Sequence, residues 1–201
     1  CDIFKLWFHI LVSCVPAAIV GLLFDEQLEA LFYNYQTVAI MLILVGVVFI
    51  IIERSNKNKI AKIDSIDDIS YGQAFLIGGF QMIAAIFPGT SRSGATIVGA
   101  LIIGVSRGAA AEFTFYLAIP VMFGASLLKI IKSAMHGLHY GPMEVITLLV
   151  GMIVAFIISL FVIRFLMDYI RKHDFTGFGW YRIILGIVVI AYFAISGAAV
   201  L

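Results

Sequence analysis

Long apolar runs separated by short polar stretches divide most of the sequence into predicted membrane-spanning helices. Each run approaches the roughly 20 residues that a helix needs to cross the hydrocarbon core of a bilayer. The predicted spans, five in number, are residues 5–24, 36–52, 108–131, 143–167 and 181–200.

The apolar stretch of residues 71–105 differs from these runs because a proline–glycine pair interrupts it. Pro88 has no backbone N–H and its ring clashes with the preceding helical turn, so one straight helix is not expected here. Two half-length helices meeting at the sequence FPGTSRSG fit better, as a re-entrant hairpin or a short pair of spans. We predict an all-α integral membrane fold in one domain, residues 1–201, with about five transmembrane helices and this broken hairpin.

Composition agrees with a membrane protein and excludes other classes. The chain is 63% hydrophobic and only 12% charged, whereas soluble domains are nearer half apolar and a quarter charged. A net charge of +1 provides no basic field for nucleic acid. Cys1 and Cys14 are too far apart on one predicted helix to form a disulfide. The bilayer is therefore an expected partner, whereas nucleic acid and a metal site built by this chain are not.

The distribution of lysine and arginine predicts the orientation of the chain. The linker of residues 53–70 holds Arg54, Lys57, Lys59 and Lys62, whereas residues 25–35 hold no lysine or arginine. Positively charged loops lie preferentially in the cytoplasm. Both ends of the predicted hairpin then lie on the cytoplasmic side, and its polar turn points outward. Arg182 is likewise predicted to lie on the cytoplasmic side.

The turn FPGTSRSGAT, residues 87–96, contains groups suited to a phosphate ligand. An arginine at membrane depth is costly and normally lines a cavity or an ion path. The guanidinium of Arg92 offers paired donors that match phosphate oxygens. Thr90 and Ser91 are suitable N-caps for a helix from about residue 92 to 105. Free N–H groups and the positive dipole end at that helix start attract anions.

Further polar groups and glycines extend this predicted phosphate cradle. Thr96 lies four residues after Arg92 and three after Ser93, which brings these side chains toward one helical face. Two glycines let the backbone approach a ligand closely. Gln81 is predicted to face the same cavity or to form a hydrogen bond between helices. The residues predicted to line the cradle are Gln81, Gly89, Thr90, Ser91, Arg92, Ser93, Gly94 and Thr96.

One alternative to this interpretation remains, a turn with a purely structural role. In this alternative, the hydroxyls of a tight turn only cap the helix and Arg92 forms a structural salt bridge. It does not readily explain why so many polar groups lie between two apolar half-helices. The hairpin itself has no acidic residue, so the counter-charge of Arg92 must come from elsewhere. Glu112 is one candidate, although its position near Arg107 also fits an interfacial carboxylate.

The stretch PGTSRSGAT, residues 88–96, resembles the Pro-Gly-x-Ser-Arg-Ser-x-x-Thr motif of the undecaprenyl-diphosphate phosphatase, or bacitracin-resistance, family. The similarity continues in SYGQAFLIGGFQ before it and GVSRGAAAEFTFYLAIPVMFGA after it, and we judge it to cover the entire chain. The resemblance implies hydrolysis of undecaprenyl diphosphate to the monophosphate in the bacterial inner membrane. It thereby implies recycling of the lipid carrier of cell-wall synthesis and resistance to bacitracin. For the fold, the resemblance implies an outward-facing site and two inverted halves with one re-entrant hairpin each.

The resemblance also implies roles for residues of the turn. Arg92 would bind the diphosphate of the lipid substrate as a catalytic residue. Hydrogen bonds to the same diphosphate would come from three further catalytic residues, Ser91, Ser93 and Thr96. The residue pattern of the cradle, apart from the resemblance, predicts four further substrate-binding residues, Gln81, Gly89, Thr90 and Gly94.

The sequence departs from the family pattern at its beginning. Members of the family carry two glutamates near a Phe-Leu-Pro-x-Ser-Ser-Thr-Gly-His stretch, and nothing in residues 1–201 supplies this motif. We therefore expect a carboxy-terminal part of such an enzyme, which alone would be inactive. A divalent cation, Mg²⁺ or Ca²⁺, is an expected cofactor with ligands mostly outside this chain. A homodimer is a further expectation.

A membrane transporter or lipid flippase is the alternative function. Broken helices with polar turns, arranged in inverted repeats, are also typical of secondary transporters. Such proteins usually need intramembrane carboxylates for ion coupling, and the predicted hairpin has none. The phosphatase is therefore the favoured interpretation.

Overall fold

The computed structural model describes residues 3–57, 60–135 and 141–196, and these residues are almost entirely helical. Five of the helices are long and apolar enough to cross a membrane, whereas the two that flank residues 87–91 are short and apolar. This confirms the predicted all-α membrane fold. The helices within the described ranges are α1 (Ile3–Phe32), α2 (Tyr35–Asn56), α3 (Tyr71–Ile86), α4 (Arg92–Ile102), α5 (Arg107–Met135), α6 (Pro142–Lys172) and α7 (Thr176–Ser196).

The observed helices overlap the five predicted spans but differ from them at several ends. Helix α7 begins at Thr176, five residues before the predicted start, while the predicted residues 197–200 lie outside the described part of the chain. Helix α4 ends at Ile102 and not near residue 105. The reason is Gly104, whose φ of +92° is a left-handed conformation that ends helices and favours glycine.

Local sequence explains where the two short helices begin and end. Ser70 and Gln73 form a capping box at the start of α3, with Ser70 N donating to Gln73 Oε1 at 2.8 Å and Gln73 N donating to Ser70 Oγ at 3.3 Å. Helix α3 stops before Phe87, because the residue preceding a proline is disfavoured in helical conformation. The interruption predicted at Pro88 is therefore present.

The linker between α2 and α3 is bound to the end of α4. Lys62 N and Ile63 N donate to Gly104 O at 2.9 and 3.2 Å, and the three apolar side chains of Ile63, Ile69 and Val105 share one buried cluster. Because Ile69 lies two residues before the start of α3 and Val105 three residues after the end of α4, both ends of the hairpin lie on the same side of the molecule.

The hairpin of α3 and α4 is surrounded by α1, α2 and α5. Helix α1 packs along α3, where Ser13 Oγ donates to Ala74 O and Gly78 leaves space for the Ser13 backbone. One buried cluster around Phe113 joins α1, α3 and α5, and a second around Phe49 joins α2, α4, α5 and the end of α6. The hairpin is thus held from several sides.

Helices α2 and α7 pack closely because glycines line their contact. A Cβ atom at Gly186 would lie 2.8 Å from Ala39 O, and one at Gly179 would lie 2.8 Å from Gly46 O. Small residues let membrane helices approach at backbone distance, where van der Waals contacts stabilise the pair. This packing holds Arg182 of α7 beside the turn that joins α3 and α4.

A side chain at Gly186 is expected to force α7 away from α2. Gly186→Val should lower the stability of the purified protein by about 1–3 kcal/mol, the usual cost of overpacking, seen as a lower thermal midpoint in detergent. Gly151→Val is the matched control, since nothing lies within 4 Å of a Cβ added there. Equal midpoints for the two variants would contradict the close α2–α7 packing.

An ion pair between the partly exposed Arg107 and the buried Glu53 connects α2 and α5 at the end of the molecule that contains the linker. Arg107 Nε lies 3.1 and 3.0 Å from the two carboxylate oxygens of Glu53, which is 3% exposed. Phe175 N also donates to Glu53 Oε1, at 3.2 Å. Arg107 therefore pairs with Glu53, whereas the sequence had suggested only Glu112 as its acidic neighbour.

Candidate active site

The turn between α3 and α4 has a strained backbone. Gly89 has φ of +89°, and Ser91 has φ of +64°, the one positive φ found at a non-glycine residue among the described residues. A serine in this region costs energy that the surrounding structure must offset, and such residues cluster at functional sites. The strain marks this turn as the first candidate site.

Ser91 is the N-cap of α4, which confirms one of the two predicted caps. Its Oγ accepts from Gly94 N at 3.3 Å and lies 3.3 Å from the Ser93 hydroxyl, while Ala95 N donates to Ser91 O at 3.0 Å. The backbone N–H groups of Arg92 and Ser93 precede those of Gly94 and Ala95 in the chain and have no acceptor within the helix. Together with the positive end of the helix dipole they form an anion-binding helix start.

The accessible face of the turn consists of Ser91, Arg92 and Ser93. Both serines are exposed and Arg92 is half-buried. Arg92 Nη1 is buried and has no hydrogen-bond partner among the described residues. A buried charged donor without a partner is rare in native proteins and requires an explanation such as a ligand. These three residues combine hydroxyl, guanidinium and backbone donors on one surface.

Thr96 lies behind this surface. It is 1% exposed, and its hydroxyl lies 3.1 Å from both Arg92 O and Ser93 O. Thr114 Oγ1 of α5 donates to Thr96 Oγ1 at 3.0 Å. The Thr96 side chain therefore connects the first turn of α4 to α5 and supports the accessible face from below.

The two glycines of the turn make room for α2. A Cβ at Gly89 would lie 2.5 Å from Val38 O, and one at Gly94 would lie 3.3 Å from the Phe49 ring. Both distances are shorter than ordinary van der Waals contact. The glycines thus allow the turn and the start of α4 to pack against α2, and the N–H of Gly94 is already bonded to Ser91.

Thr90 and Gln81 are buried with unpaired polar atoms. Within the described part of the chain, Thr90 Oγ1 and both amide atoms of Gln81 have no hydrogen-bond partner, so the interhelical bond considered for Gln81 does not form there. Such atoms are normally satisfied by a ligand, by ordered water or by another protein segment. Thr90 belongs to the turn, and Gln81 lies in α3 less than two helical turns before its end.

Arg182 is the site residue that sequence reasoning missed. It lies in the second turn of α7, and its Nη2 donates to Gly89 O at 2.6 Å and to Thr90 O at 2.9 Å. The lysine and arginine pattern had placed it among the cytoplasmic positive charges, because the predicted span began at residue 181. One sequence feature could have indicated that this arginine lies within the membrane: it is followed at once by the apolar run IILGIVVIAYF.

A groove of about 590 Å³ opens beside the accessible face, between α5 and α6. Arg92 and Ser93 line it, and so does Glu112. Glu112 was a predicted counter-charge of Arg92, but the ion pair observed within the described residues joins Arg107 to Glu53. The remaining wall of the groove is largely apolar.

The chain matches one family model over most of its length. The model, described as bacitracin resistance protein BacA, matches residues 2–188. The chain belongs to this family. Its similar relatives include undecaprenyl-diphosphatase 1 of Clostridium acetobutylicum, 61% identical over 96% of this chain and 70% of the relative. The undecaprenyl-diphosphatases of Desulfitobacterium hafniense and Enterococcus faecalis are 60% and 54% identical, over 94% and 97% of this chain and 67% and 70% of the relatives.

The turn of this BacA family member does not by itself fit a metal ion. Its side chains are hydroxyls and guanidinium donors, whereas Mg²⁺ and Ca²⁺ prefer carboxylate and carbonyl oxygens. In residues 3–57, 60–135 and 141–196, no group of three or more His, Cys, Asp or Glu side chains comes together to hold a metal. The divalent cation therefore stays a prediction.

Proposed function

We propose that the protein is a membrane phosphatase that hydrolyses undecaprenyl diphosphate to undecaprenyl phosphate and inorganic phosphate. The observation that carries this function is the face of Ser91, Arg92 and Ser93, where an unpaired guanidinium donor meets an anion-binding helix start inside an apolar helical protein. Relatives named undecaprenyl-diphosphatase support the same substrate. The reaction recycles the lipid carrier of cell-wall synthesis and thereby gives resistance to bacitracin.

In the proposed reaction a water oxygen attacks the terminal phosphorus of the lipid diphosphate. The bond from that phosphorus to the bridging oxygen breaks, and the bridging oxygen keeps the electron pair as part of the lipid monophosphate. The attacking water loses a proton to the surroundings. Arg92 neutralises charge on the terminal phosphate during transfer, which is most of what phosphoryl-transfer catalysis requires.

The other residues of the turn hold and position the same diphosphate. The hydroxyls of Ser91 and Ser93 donate to its oxygens, together with the free N–H groups at the start of α4. Thr96 keeps this helix start in place through Thr114. Arg182 fixes the turn by binding its carbonyl oxygens.

Phosphate release tests this function. The protein expressed from its complete reading frame, purified in detergent, is expected to release one phosphate per undecaprenyl diphosphate. Residues 1–201 assayed alone test the separate prediction that this part is inactive. A folded protein that releases no phosphate but moves undecaprenyl phosphate across vesicle membranes would instead be a transporter.

The homodimer also stays a prediction.

The proposal locates the turn at the outer side of the bacterial inner membrane. Two observations support this location: the positive charges of residues 53–70, and the packing of Gly89 against Val38 in the first turn of α2, at the helix end opposite the linker. Sealed right-side-out vesicles should therefore release phosphate from added farnesyl diphosphate equally well before and after permeabilisation. Vesicles with Arg92→Ala give the background, and activity that appears only after permeabilisation would contradict the location.

Ser91→Gly separates the strain of the turn from its chemistry. Glycine suits a positive φ and costs only a few tenths of a kcal/mol at an N-cap, so the thermal midpoint should stay close to that of the parent. The lost hydroxyl should slow phosphate release about 10- to 100-fold, because hydrogen bonds to charged groups contribute about 1.5–3 kcal/mol.

Ser106→Gly provides the matched control for this variant. Ser106 Oγ accepts from Ala109 N at the start of α5, at the far end of α4 from the turn. Its removal should leave phosphate release unchanged. If Ser91→Gly and Ser106→Gly release phosphate equally fast, the Ser91 hydroxyl does not contact the substrate.

A further inference from the structure

A cavity larger than the groove beside the turn lies at the end of the molecule that contains the linker. Its volume is about 770 Å³, and it lies between the end of α2, the linker, the end of α4 and the start of α5. Glu112 and Met167 line both this cavity and the groove, so the two adjoin. None of the residues that hold or position the diphosphate in the proposed reaction lines the cavity.

The cavity has unpaired charges of both signs. Glu53 in its wall accepts from Arg107 and from Phe175 N, so the charge of this carboxylate is already matched. The other charged side chains of the lining are two lysines and two carboxylates, Lys57, Lys62, Asp64 and Glu112. In residues 3–57, 60–135 and 141–196, none of these four side chains forms an ion pair or a hydrogen bond.

The start of α5 provides further donors on one side of the cavity. Ala109 N donates to Ser106 Oγ at 3.4 Å, so the N–H groups of the first two residues of α5 have no acceptor within the helix. Lys62 lies against Gly104, three residues before α5, since a Cβ there would be 3.5 Å from Lys62 Cγ and Cδ. A lysine beside a helix start favours an anion such as a phosphate.

We propose that this cavity binds the headgroup of a phospholipid that carries both a phosphate and a primary amine. The phosphate accepts from the start of α5 and from Lys57 and Lys62, and the ammonium group donates to Asp64 and Glu112. Hydrogen bonds between charged groups are the strong ones. A headgroup of this kind matches the unpaired charges of both signs, whereas a simple anion or cation matches only one. The site lies outside the proposed reaction and goes beyond it.

The position of the cavity is that of lipid headgroups. It lies where α2 ends and α5 begins, and both helices are long and apolar enough to cross a membrane. The ends of such helices lie at the bilayer surface, where basic pockets between membrane helices bind phospholipid headgroups. Two exposed isoleucines, Ile60 and Ile102, also line the cavity and are available to the acyl chains.

Lipid titration tests this site without the use of phosphate release. The protein expressed from its complete reading frame is purified in detergent, and its thermal midpoint is measured with increasing mole fractions of phosphatidylethanolamine, phosphatidylcholine or phosphatidylglycerol with the same acyl chains. A ligand that binds the folded state raises the midpoint.

Phosphatidylethanolamine should reach half of its maximal effect at an about tenfold lower mole fraction than the other two lipids, as expected for lost hydrogen bonds to charged groups. Phosphatidylcholine has a phosphate, but its methylated ammonium group has no N–H donors. Phosphatidylglycerol has a phosphate and no cation.

Two double variants separate the two halves of the headgroup. Lys57→Gln with Lys62→Gln should weaken the binding of all three lipids about tenfold or more, because all three carry the phosphate. Asp64→Asn with Glu112→Gln should instead remove the preference for phosphatidylethanolamine over phosphatidylglycerol. If a double variant does not fold, Lys62→Gln or Asp64→Asn alone makes the same test.

The control is Lys5→Gln with Arg54→Gln. Lys5 and Arg54 are exposed and do not line the cavity. They lie near the same end of the molecule, since Leu6 shares a buried cluster with Ile63 of the linker and Arg54 follows Glu53 directly. The control should bind all three lipids as the parent does. An equal loss in this control and in Lys57→Gln with Lys62→Gln would overturn the site, because surface charge alone would then attract the lipids.

Two further outcomes would overturn the proposal. Equal effects of the three lipids on the parent would show that the cavity does not recognise the headgroup. Soluble phosphoethanolamine that raises the midpoint as much as phosphatidylethanolamine would show that the ligand is a free phosphate compound and not a lipid. A parent that binds the three lipids as expected but releases no phosphate would confirm this site and overturn the proposed function alone.

Discussion

Replacing Arg92 with alanine is expected to lower kcat/KM for undecaprenyl diphosphate by about 1,000-fold. Removing one preorganised donor to a developing negative charge costs about 100- to 1,000-fold in other enzymes, and Arg92 provides several donors as well as a positive charge. Arg92→Lys keeps the charge but loses the paired geometry of the guanidinium, so it should recover only a small part of the activity. The measurement is the initial rate of phosphate release from purified protein.

Arg164→Ala is the control for this variant. Arg164 is an exposed residue of α6 that does not line the groove beside the turn. It should retain the parent rate. A folded Arg92→Ala protein that works within about threefold of the parent, well under the effect of one such donor, would contradict the role assigned to Arg92.

Replacing Arg182 with methionine is expected to reduce kcat about 10- to 100-fold without direct contact between Arg182 and the substrate. The change removes the donor to two carbonyl oxygens, Gly89 O and Thr90 O. A displacement of about 1 Å in a catalytic arrangement can cost 100-fold in rate. Leaving buried acceptors unpaired should also cost about 1–3 kcal/mol of stability, measurable as a lower thermal midpoint.

Lysine distinguishes the positioning role of Arg182 from the binding role of Arg92. Arg182→Lys keeps a donor that can reach one of the two carbonyl oxygens and should restore much of the activity and stability. Arg92→Lys should restore little, because the diphosphate needs the paired donors. If Arg182→Met has the stability and the kcat of the parent, the bonds from Arg182 do not hold the turn.

Sequence patterns were sufficient for the part of the fold that depends on local physics. The length of the apolar runs indicated five spanning helices, and Pro88 indicated the interruption between α3 and α4. Residue type also indicated an N-cap at Thr90 or Ser91, and Ser91 is the observed cap. Each of these features depends on residues close together in the chain, so the sequence alone contains the information.

Features that depend on distant residues could not be predicted in the same way. The bonds from Arg182 to the turn join residues more than 90 positions apart. The orientation of Thr96 depends on Thr114, in the next helix. Helical periodicity shows that Thr96 shares a face with Arg92 but not whether that face meets a ligand or α5.

The end of α4 shows a similar limit. The apolar pattern continues to Val105, but Gly104 takes a left-handed conformation and Val105 pairs with Ile63 of the linker. Glycine in an apolar run is compatible with a helix or with its end, and only the contact with the linker decides between them.

Binding of a diphosphate that cannot be hydrolysed tests the central claim most directly. The ligand is a farnesyl methylenebisphosphonate, in which a CH₂ group replaces the bridging oxygen, titrated calorimetrically into the protein expressed from its complete reading frame in detergent. If the turn holds the diphosphate, Arg92→Ala should bind at least about tenfold more weakly than the parent, a loss of about 1.4 kcal/mol or more. Equal affinity of the parent and a folded Arg92→Ala protein would contradict the claim.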